Sequence, residues 1–227
     1  MAGLDPAIHD FLKLRFSSEA IMNITIVGSG NVGRALALGW RRAGHDVTFA
    51  MRDPDGAKGV QLKQDGFGVA PLNGAASAAD AIVLAVPWPA VEATIGALMP
   101  LTGKLLIDCT DPLASSRRLA VGFTDSGGEI VARLAAGARV VKAFSTTGAA
   151  NMADSRYPGG KLMIPVAGDD PAAKQIVMSL AADLGFDPVD TGPLAMCRYL
   201  EPLAMIWINL AYTQGLGPNI GFALLKR

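Results

Sequence analysis

The stretch ITIVGSGNVGRALALGWRRAGHDVTF, Ile24 to Phe49, decides the fold. It opens on Ile24–Val27, a short apolar run suited to a buried strand. Gly28-Ser29-Gly30-Asn31-Val32-Gly33 follow, spaced G-x-G-x-x-G. Apolar residues then recur at helical spacing to Ala43, and a second strand pattern begins at Val47. Strand, glycine turn, helix and strand form a βαβ unit that can cradle a pyrophosphate. Gly28 permits the tight turn, Gly30 lets the backbone approach the phosphates, and Gly33 lets the helix pack on the strand. The amides of the first helical turn, Asn31 and Val32 among them, face the negative charge with the helix dipole behind them. A glycine turn can exist without a ligand. The complete unit around this one points to dinucleotide binding.

The alternation continues along the chain. Ile24–Val27, Val47–Ala50, Ala81–Val86, Leu105–Cys109, Val140–Phe144 and Leu162–Ala167 read as strands, with Pro188–Asp190 as a further edge. Helical patterns separate them at Asn31–Ala43, Val91–Leu98, Glu129–Leu134 and Pro171–Leu184. Apolar strands alternating with helices imply an α/β fold: a Rossmann-type, doubly wound, mostly parallel sheet with both faces covered. Residues 22–193 make this dinucleotide-binding domain. Residues 194–227 have no strand signal and form a small C-terminal helical extension. Its LAMCRYLEPLAMIWINLAY, Leu194–Tyr212, is apolar nearly all round, so it is expected to be buried on the domain or against a partner subunit, as in a homodimer. GLGPNIGFALLKR, Gly215–Arg227, reads as a glycine turn and a short final helix. Residues 1–21 lack the apolar core and cleavage site of a secretory signal. They are expected to be a leader preceding a natural start at Met22; the competing reading is a surface helix.

Composition removes several function classes. Zero net charge argues against a nucleic-acid partner, because phosphate backbones demand a basic surface. The most apolar stretch, Leu200–Leu210, is interrupted by Glu201, Pro202 and Asn209 and is too short for a membrane span. Cys109 and Cys197 make neither a disulfide framework nor a zinc site, and read as small buried hydrophobes in a reducing, cytoplasmic setting. No metal-ligand cluster is visible.

The choice of cofactor turns on the end of the second strand. An NAD binder carries an acid there, but here Ala50-Met51 leads into Arg52, whose planar fork suits the 2′-phosphate of NADP. Asp53 competes as a ribose ligand, and its DPDG context also offers a turn or cap role. Ligands of open α/β sheets bind beyond the carboxyl ends of the strands. Val86 and Pro87 end one strand there, beside the nicotinamide half. Trp88 either walls the pocket or packs on the next helix. Cys109, Thr110 and Asp111 end a second strand at this edge, and Phe144–Gly148 end a third. No Ser/His/Asp set appears. His45 reads as solvent-facing in a turn, and Lys142 as structural within a strand. Without an obvious acid-base residue, the chain leans toward hydride transfer to a flavin-like acceptor and away from carbonyl reduction.

Several segments together carry a family resemblance. MNITIVGSGNVGRALALGWRRAGHDVTFAMRD (Met22–Asp53), ADAIVLAVPW (Ala79–Trp88), IPVAGDD (Ile164–Asp170), FDPVDTGPL (Phe186–Leu194), then Arg198 and LEPLA (Leu200–Ala204) resemble the coenzyme F420-dependent NADP oxidoreductases. The resemblance implies reversible hydride transfer between NADP(H) and a deazaflavin. It implies an NADP site of Ser29, Gly30, Asn31, Val32, Arg52, Val86 and Pro87. The family often has serine before the arginine, where this chain has Met51. Its deazaflavin users have histidine where this chain has Ser145; Thr147 and Ala149 would be pocket neighbours, with Trp88 opposite. The same nucleotide domain occurs in membrane metalloreductases that pass hydride to a flavin; with no span pattern in this sequence, the chain is expected not to be one of those. Two other functions fit the cofactor domain. One is NADPH-dependent reduction of a small imine or carbonyl compound, although such enzymes usually add a large helical domain and only 34 residues follow Pro193. The other is a non-enzymatic NADP sensor.

Overall fold

The computed structural model describes residues 21–114 and 118–227. The leader therefore lies outside the described residues except for Ile21. Eight strands form one sheet: β1 (Asn23–Val27), β2 (Asp46–Met51), β3 (Gly68–Pro71), β4 (Ala81–Leu84), β5 (Leu105–Asp108), β6 (Arg139–Lys142), β7 (Met163–Gly168) and β8 (Asp187–Gly192). Their spatial order is β3-β2-β1-β4-β5-β6-β7-β8. Every neighbouring pair is parallel except β6 and β7. After β1 the chain builds outward to β3, then returns to place β4 on the other side of β1. That reversal opens a crevice above the carboxyl ends of β1 and β4.

Among the described residues, seven α-helices cover the sheet: α1 (Asn31–Arg42), α2 (Ala57–Gln64), α3 (Val91–Leu98), α4 (Gly127–Leu134), α5 (Ala149–Ala153), α6 (Pro171–Asp183) and α7 (Cys197–Ile208). One face of the sheet buries Trp40, Phe49, Phe144 and Phe186 with α1 and α6. Trp40 is wholly buried, and its Nε1 donates to the Leu180 carbonyl at 2.9 Å, so its polar atom costs nothing on burial. The other face buries Ile82, Leu84, Ile95, Leu106, Val131 and Leu200 under α3, α4 and α7. Burial on both faces is why the central strands read as unbroken apolar runs.

Sequence expectation and structure part at four places, the first being α2, a helix that the sequence pattern does not announce. β3 is an extra edge strand: GVAP carries little hydrophobic signal because only its pairing with β2 holds it. The expected final helix does not form. Residues 214–227 contain no helix, and the Phe222 carbonyl instead accepts the Met163 amide at 2.8 Å. Gly215 and Gly217, both at positive φ, break the helical path. His45 does not face solvent. Its side chain is only 8% exposed, accepting the Met22 amide at Nδ1 and meeting Asp183 through Nε2 at 3.1 Å. Among the described residues, no helix is long and apolar enough to cross a membrane, and no His/Cys/Asp/Glu group is arranged to hold a metal.

Candidate functional site

The crevice at the strand reversal is built first by the glycine turn. Gly28 adopts φ +117°, and a Cβ there would overlap the Ala85 carbonyl at the end of β4. A Cβ on Gly33 would overlap the Gly28 carbonyl, so α1 reaches this close to β1 only with glycine. Gly30 differs: nothing lies within 4 Å of its would-be Cβ, so its open side is free for a ligand. No side chain caps α1, and its first turn carries no acid. The turn thus offers unpaired amides at the positive end of a helix dipole. Its exit side carries Arg41 and Arg42, matched to the negative end.

These features open into a cleft of about 360 Å³. Gly30, Asn31 and Val32 form one wall; Ala85, Val86, Pro87, Trp88 and Pro89 the second; Cys109, Thr110, Asp111 and Leu113 the third. The size lies within the range of small-molecule sites. The strand-end residues expected at the nicotinamide half, Val86 and Pro87, therefore do meet the phosphate turn across one cavity. Trp88 lines it as well. Ser29 lies within the turn between Gly28 and Gly30.

Arg52 stands exposed just beyond β2, with no ion pair among the described residues. Its neighbour Asp53 is engaged locally, its Oδ1 accepting the Gly56 amide at 2.9 Å. The turn role is therefore the one Asp53 fills. A glycine cradle, an uncapped helix start and a free guanidinium at the end of β2 fit a phosphorylated dinucleotide.

Ser145, Thr147 and Ala149 are placed differently. They follow β6 through Phe144, which takes φ +65° while its ring packs edge-on against Trp40 at 5.8 Å. Ser145 and Thr147 are buried, and Ala149 begins α5. Thr147 Oγ1 accepts Asn151 Nδ2 at 2.8 Å, and that same nitrogen donates to the Ile220 carbonyl. A Cβ on Gly148 would strike the ring of Trp207. The loop is thus covered by the C-terminal segment, and these three residues are not among the lining of the Gly30–Trp88 cleft.

Behind the third wall lies a charged cluster. Lys142, Asp108 and Glu201 are at most 1% exposed. Lys142 Nζ meets Asp108 Oδ2 at 3.0 Å and Glu201 Oε1 at 3.1 Å, and also donates to the Thr110 carbonyl. Asp108 Oδ1 accepts the Thr110 amide and hydroxyl at 2.9 and 2.7 Å. Glu201, from α7, accepts the amides of Gly127 and Gly128 at 2.9 Å each, so it caps α4 from another helix. Burial alone would lower the Lys142 ammonium pKa; the carboxylates of Asp108 and Glu201 outweigh it and raise that pKa. Both cysteines are buried thiols, and burial pushes each pKa up.

Asp111 is the residue whose importance the linear sequence understates. It lines the cleft, yet its Oδ1 is shut from solvent and has no hydrogen-bond partner among the described residues. Burial raises its carboxyl pKa to about 7; Lys142 pulls it down, while Glu201 and Asp108 push it up. The sequence offers no obvious acid-base group at the site; Asp111 is the candidate that the structure places on the cleft. The signal was present in the DCTD of Asp108–Asp111, two acids at the carboxyl end of a strand. It could not be separated from turn chemistry without knowing which one Lys142 pairs.

Known proteins give an independent comparison. The family model described as NADP oxidoreductase, coenzyme F420-dependent, matches residues 23–112. The F420-dependent NADP reductase of Methanothermobacter thermautotrophicus is 30% identical over 208 residues, covering 84% of this chain and 89% of that protein. The metalloreductase STEAP3 of Rattus norvegicus is 29% identical over 184 residues, covering 80% of this chain; the chain spans only 36% of that protein. A crystal structure of a candidate F420-dependent NADP reductase from Arthrobacter sp. FB24 superposes with a TM-score of 0.82 at 33% identity. It covers 90% of this chain and all of that one.

Proposed function

The chain belongs to the coenzyme F420-dependent NADP oxidoreductase family, and on that premise we propose that it moves hydride between NADP(H) and a flavin-like acceptor, coenzyme F420 among the candidates. It is an oxidoreductase by family. The observation that carries the cofactor half is the open glycine turn at the start of α1, facing Val86, Pro87 and Trp88 across one cleft. Arg52, with Asp53 engaged by its own turn, supports NADP(H) over NAD(H). When bound, the reduced nicotinamide supplies the hydride. The chain supplies position and dryness: the turn amides fix the pyrophosphate, Val86 and Pro87 form an apolar wall, and Trp88 offers a flat face for a second ring.

A second reading, reduction of a small imine or carbonyl compound, is favoured by one observation: Asp111 offers an acid in the same cleft. Titration of the purified protein with NADPH and NADH, followed by nucleotide fluorescence, tests the cofactor half. Anaerobic NADPH oxidation with F420, FMN, FAD and a cyclic imine then separates the acceptors. Failure to bind NADPH below ~1 mM sinks both readings. Turnover of the imine with none of the flavins selects the second.

We place the protein in the cytoplasm, which its two free cysteines support. We also assign a second copy of this chain to the outer face of α7. Tyr199 and Ile206 there, and Tyr212 just beyond, are 69%, 53% and 57% exposed, beside a cleft edged by Phe123. That much clustered apolar surface supports an interface.

A further inference from the structure

We propose that Asp111 is the proton donor of this enzyme, delivering its carboxyl proton to the acceptor's nitrogen or oxygen as hydride adds elsewhere on the same π system. The inference rests on the hydride-transfer reading above and goes beyond it by naming the acid and the acceptor chemistry.

Geometry comes first. Asp111 shares its cleft with Gly30, Val86, Pro87 and Trp88, the residues that the cofactor half requires. Its Oδ1 is inaccessible and has no hydrogen-bond partner among the described residues. The residue as a whole is only partly buried and lines the cleft, while its Oδ1 sits unpaired and out of solvent; a buried, unpaired carboxyl oxygen favours the protonated form, which leaves an acid at the cleft wall. Nearby Asp108 shows the contrast. It is fully buried, where Asp111 is only partly so, and its oxygens are occupied by Thr110 and Lys142, leaving none to serve a substrate.

Electrostatics explain why this carboxyl can hold a proton near neutral pH. The charged groups facing it are Lys142 from β6, Glu201 from α7 and Asp108 from β5, with the buried thiol of Cys109 alongside. Lys142 could have forced Asp111 to ionise. Its charge is instead taken up by Asp108 and Glu201, at 3.0 and 3.1 Å. Burial then dominates, and the carboxyl titrates at about 7. A donor poised near the working pH is the efficient kind.

The step balances as follows. The acceptor's electrophilic atom receives hydride, two electrons and one hydrogen nucleus, which NADPH supplies. In an imine or carbonyl the C=N or C=O π bond breaks toward nitrogen or oxygen; in a deazaflavin or flavin the π electrons shift along the conjugated ring system to a second ring atom, a nitrogen. The Asp111 O–H bond breaks, and its proton forms the new N–H or O–H bond. The acceptor is reduced by two electrons, NADPH is oxidised to NADP⁺, and water returns a proton to the Asp111 carboxylate. The acceptor class is thus an imine, a carbonyl, or a conjugated ring system that ends in a basic nitrogen, as in deazaflavins and flavins. A bare metal ion or a one-electron acceptor has no use for this group.

The test uses Asp111→Asn, which keeps the shape and removes the acid. In the wild-type protein, kcat should fall as pH rises through about 7, because only the protonated carboxyl donates. In the variant, kcat should drop by about 10²–10⁴-fold with the NADPH Kd within ~3-fold, and that alkaline limb should vanish. A second readout needs no turnover. Oxidised nicotinamide is cationic and favours the carboxylate, so NADP⁺ binding near pH 7 should release a fraction of a proton, read with an indicator dye in weak buffer. NADPH should release less, and Asp111→Asn none. Equal proton release by the variant, or a variant kcat within twofold of wild type, overturns the proposal. If no acceptor turns over at all, the hydride-transfer reading has failed. NADP⁺ binding without proton release then overturns the role of Asp111 separately.

Folding gives a check on the variant. The folded Asp111 pKa lies above its ordinary 3.8. Between about pH 4 and 7 the folded protein holds a proton that the unfolded chain has lost, so this group's contribution to stability falls as pH rises and levels off above about 7. Asp111→Asn should remove that fall and leave the protein at least as stable as wild type above pH 7. A variant less stable than wild type at pH 8 would deny that the carboxyl is an unpaired burden.

Discussion

Replacing Glu201 by glutamine should destabilise the protein by about 2–5 kcal/mol, although it changes one atom. Glu201 Oε1 accepts Gly128 N–H and faces Lys142, while Oε2 accepts Gly127 N–H. A glutamine can keep Oε1 in place, but its amide nitrogen then points a donor at the Gly127 donor. Leaving that buried amide unsatisfied costs about 1–3 kcal/mol. Losing the anion at the helix start, beside a buried ammonium, adds about 1–2 kcal/mol. For a chain of this length the melting temperature should drop on the order of 10 °C. Urea unfolding at pH 7.5, followed by tryptophan fluorescence, measures the loss as a lowered midpoint at unchanged slope. A loss under ~1 kcal/mol would refute the cap. The pair can be isolated with Lys142→Met, which alone leaves Asp108 and Glu201 as uncompensated buried carboxylates. Adding Glu201→Gln relieves one of them, so the double variant should be more stable than the two losses predict, by about 1–3 kcal/mol. Simple additivity would mean that Lys142 and Glu201 do not interact.

The glycine turn should separate fold from binding. Gly30→Ala meets no atom and sits at φ −75°, so stability should change by less than ~1 kcal/mol while NADPH binding is lost; retained binding would place the phosphates elsewhere. Gly33→Ala drives a methyl into the Gly28 carbonyl and should cost about 1–3 kcal/mol in urea unfolding as well as binding. Arg52→Glu should weaken NADPH by about 10–100-fold and NADH by under ~3-fold, and equal loss for both would remove the 2′-phosphate role. Ile206→Asp, on the exposed face of α7, should yield a folded monomer by light scattering at concentrations where wild type is dimeric; a wild-type monomer would refute the interface.

The half of the fold that was legible in sequence is the half governed by local rules. Gly28, Gly30 and Gly33 announced the βαβ unit because each answers a steric demand that no other residue meets. The apolar strands announced a sheet buried on both faces. β3 was silent because GVAP is held by pairing with β2, not by burial. The end of the chain was misread because FALLKR has a helical look. Its backbone instead lies beside β7, a contact no local pattern encodes. The site divides in the same way. Val86, Pro87 and Trp88 follow from the rule that ligands sit beyond strand ends. Asp111 does not, because its character depends on Lys142 and Glu201, 31 and 90 positions away in the chain. Glu201 looked like an interruption of an apolar helix, yet it is the one charged residue on the buried face of α7.

That last placement ties the C-terminal segment to the chemistry as well as to stability. Glu201 raises the Asp111 pKa and Lys142 lowers it, after burial has set the main shift. Removing either charge therefore moves Asp111 in a known direction. Glu201→Gln leaves Lys142 less compensated, so Asp111 should ionise at lower pH, and the alkaline limb of kcat should move down by on the order of one pH unit. Lys142→Met leaves two carboxylates facing Asp111, so the same limb should move up. Both variants lower stability, so general damage to the fold would push their activities the same way at every pH. Opposite displacements of one limb cannot come from damage. The measurement is kcat against pH from 5 to 9, at a temperature where melting curves show each variant folded. Displacement in the same direction, or none, would mean that Asp111 is insulated from the cluster and that the helix carrying Glu201 serves the fold alone.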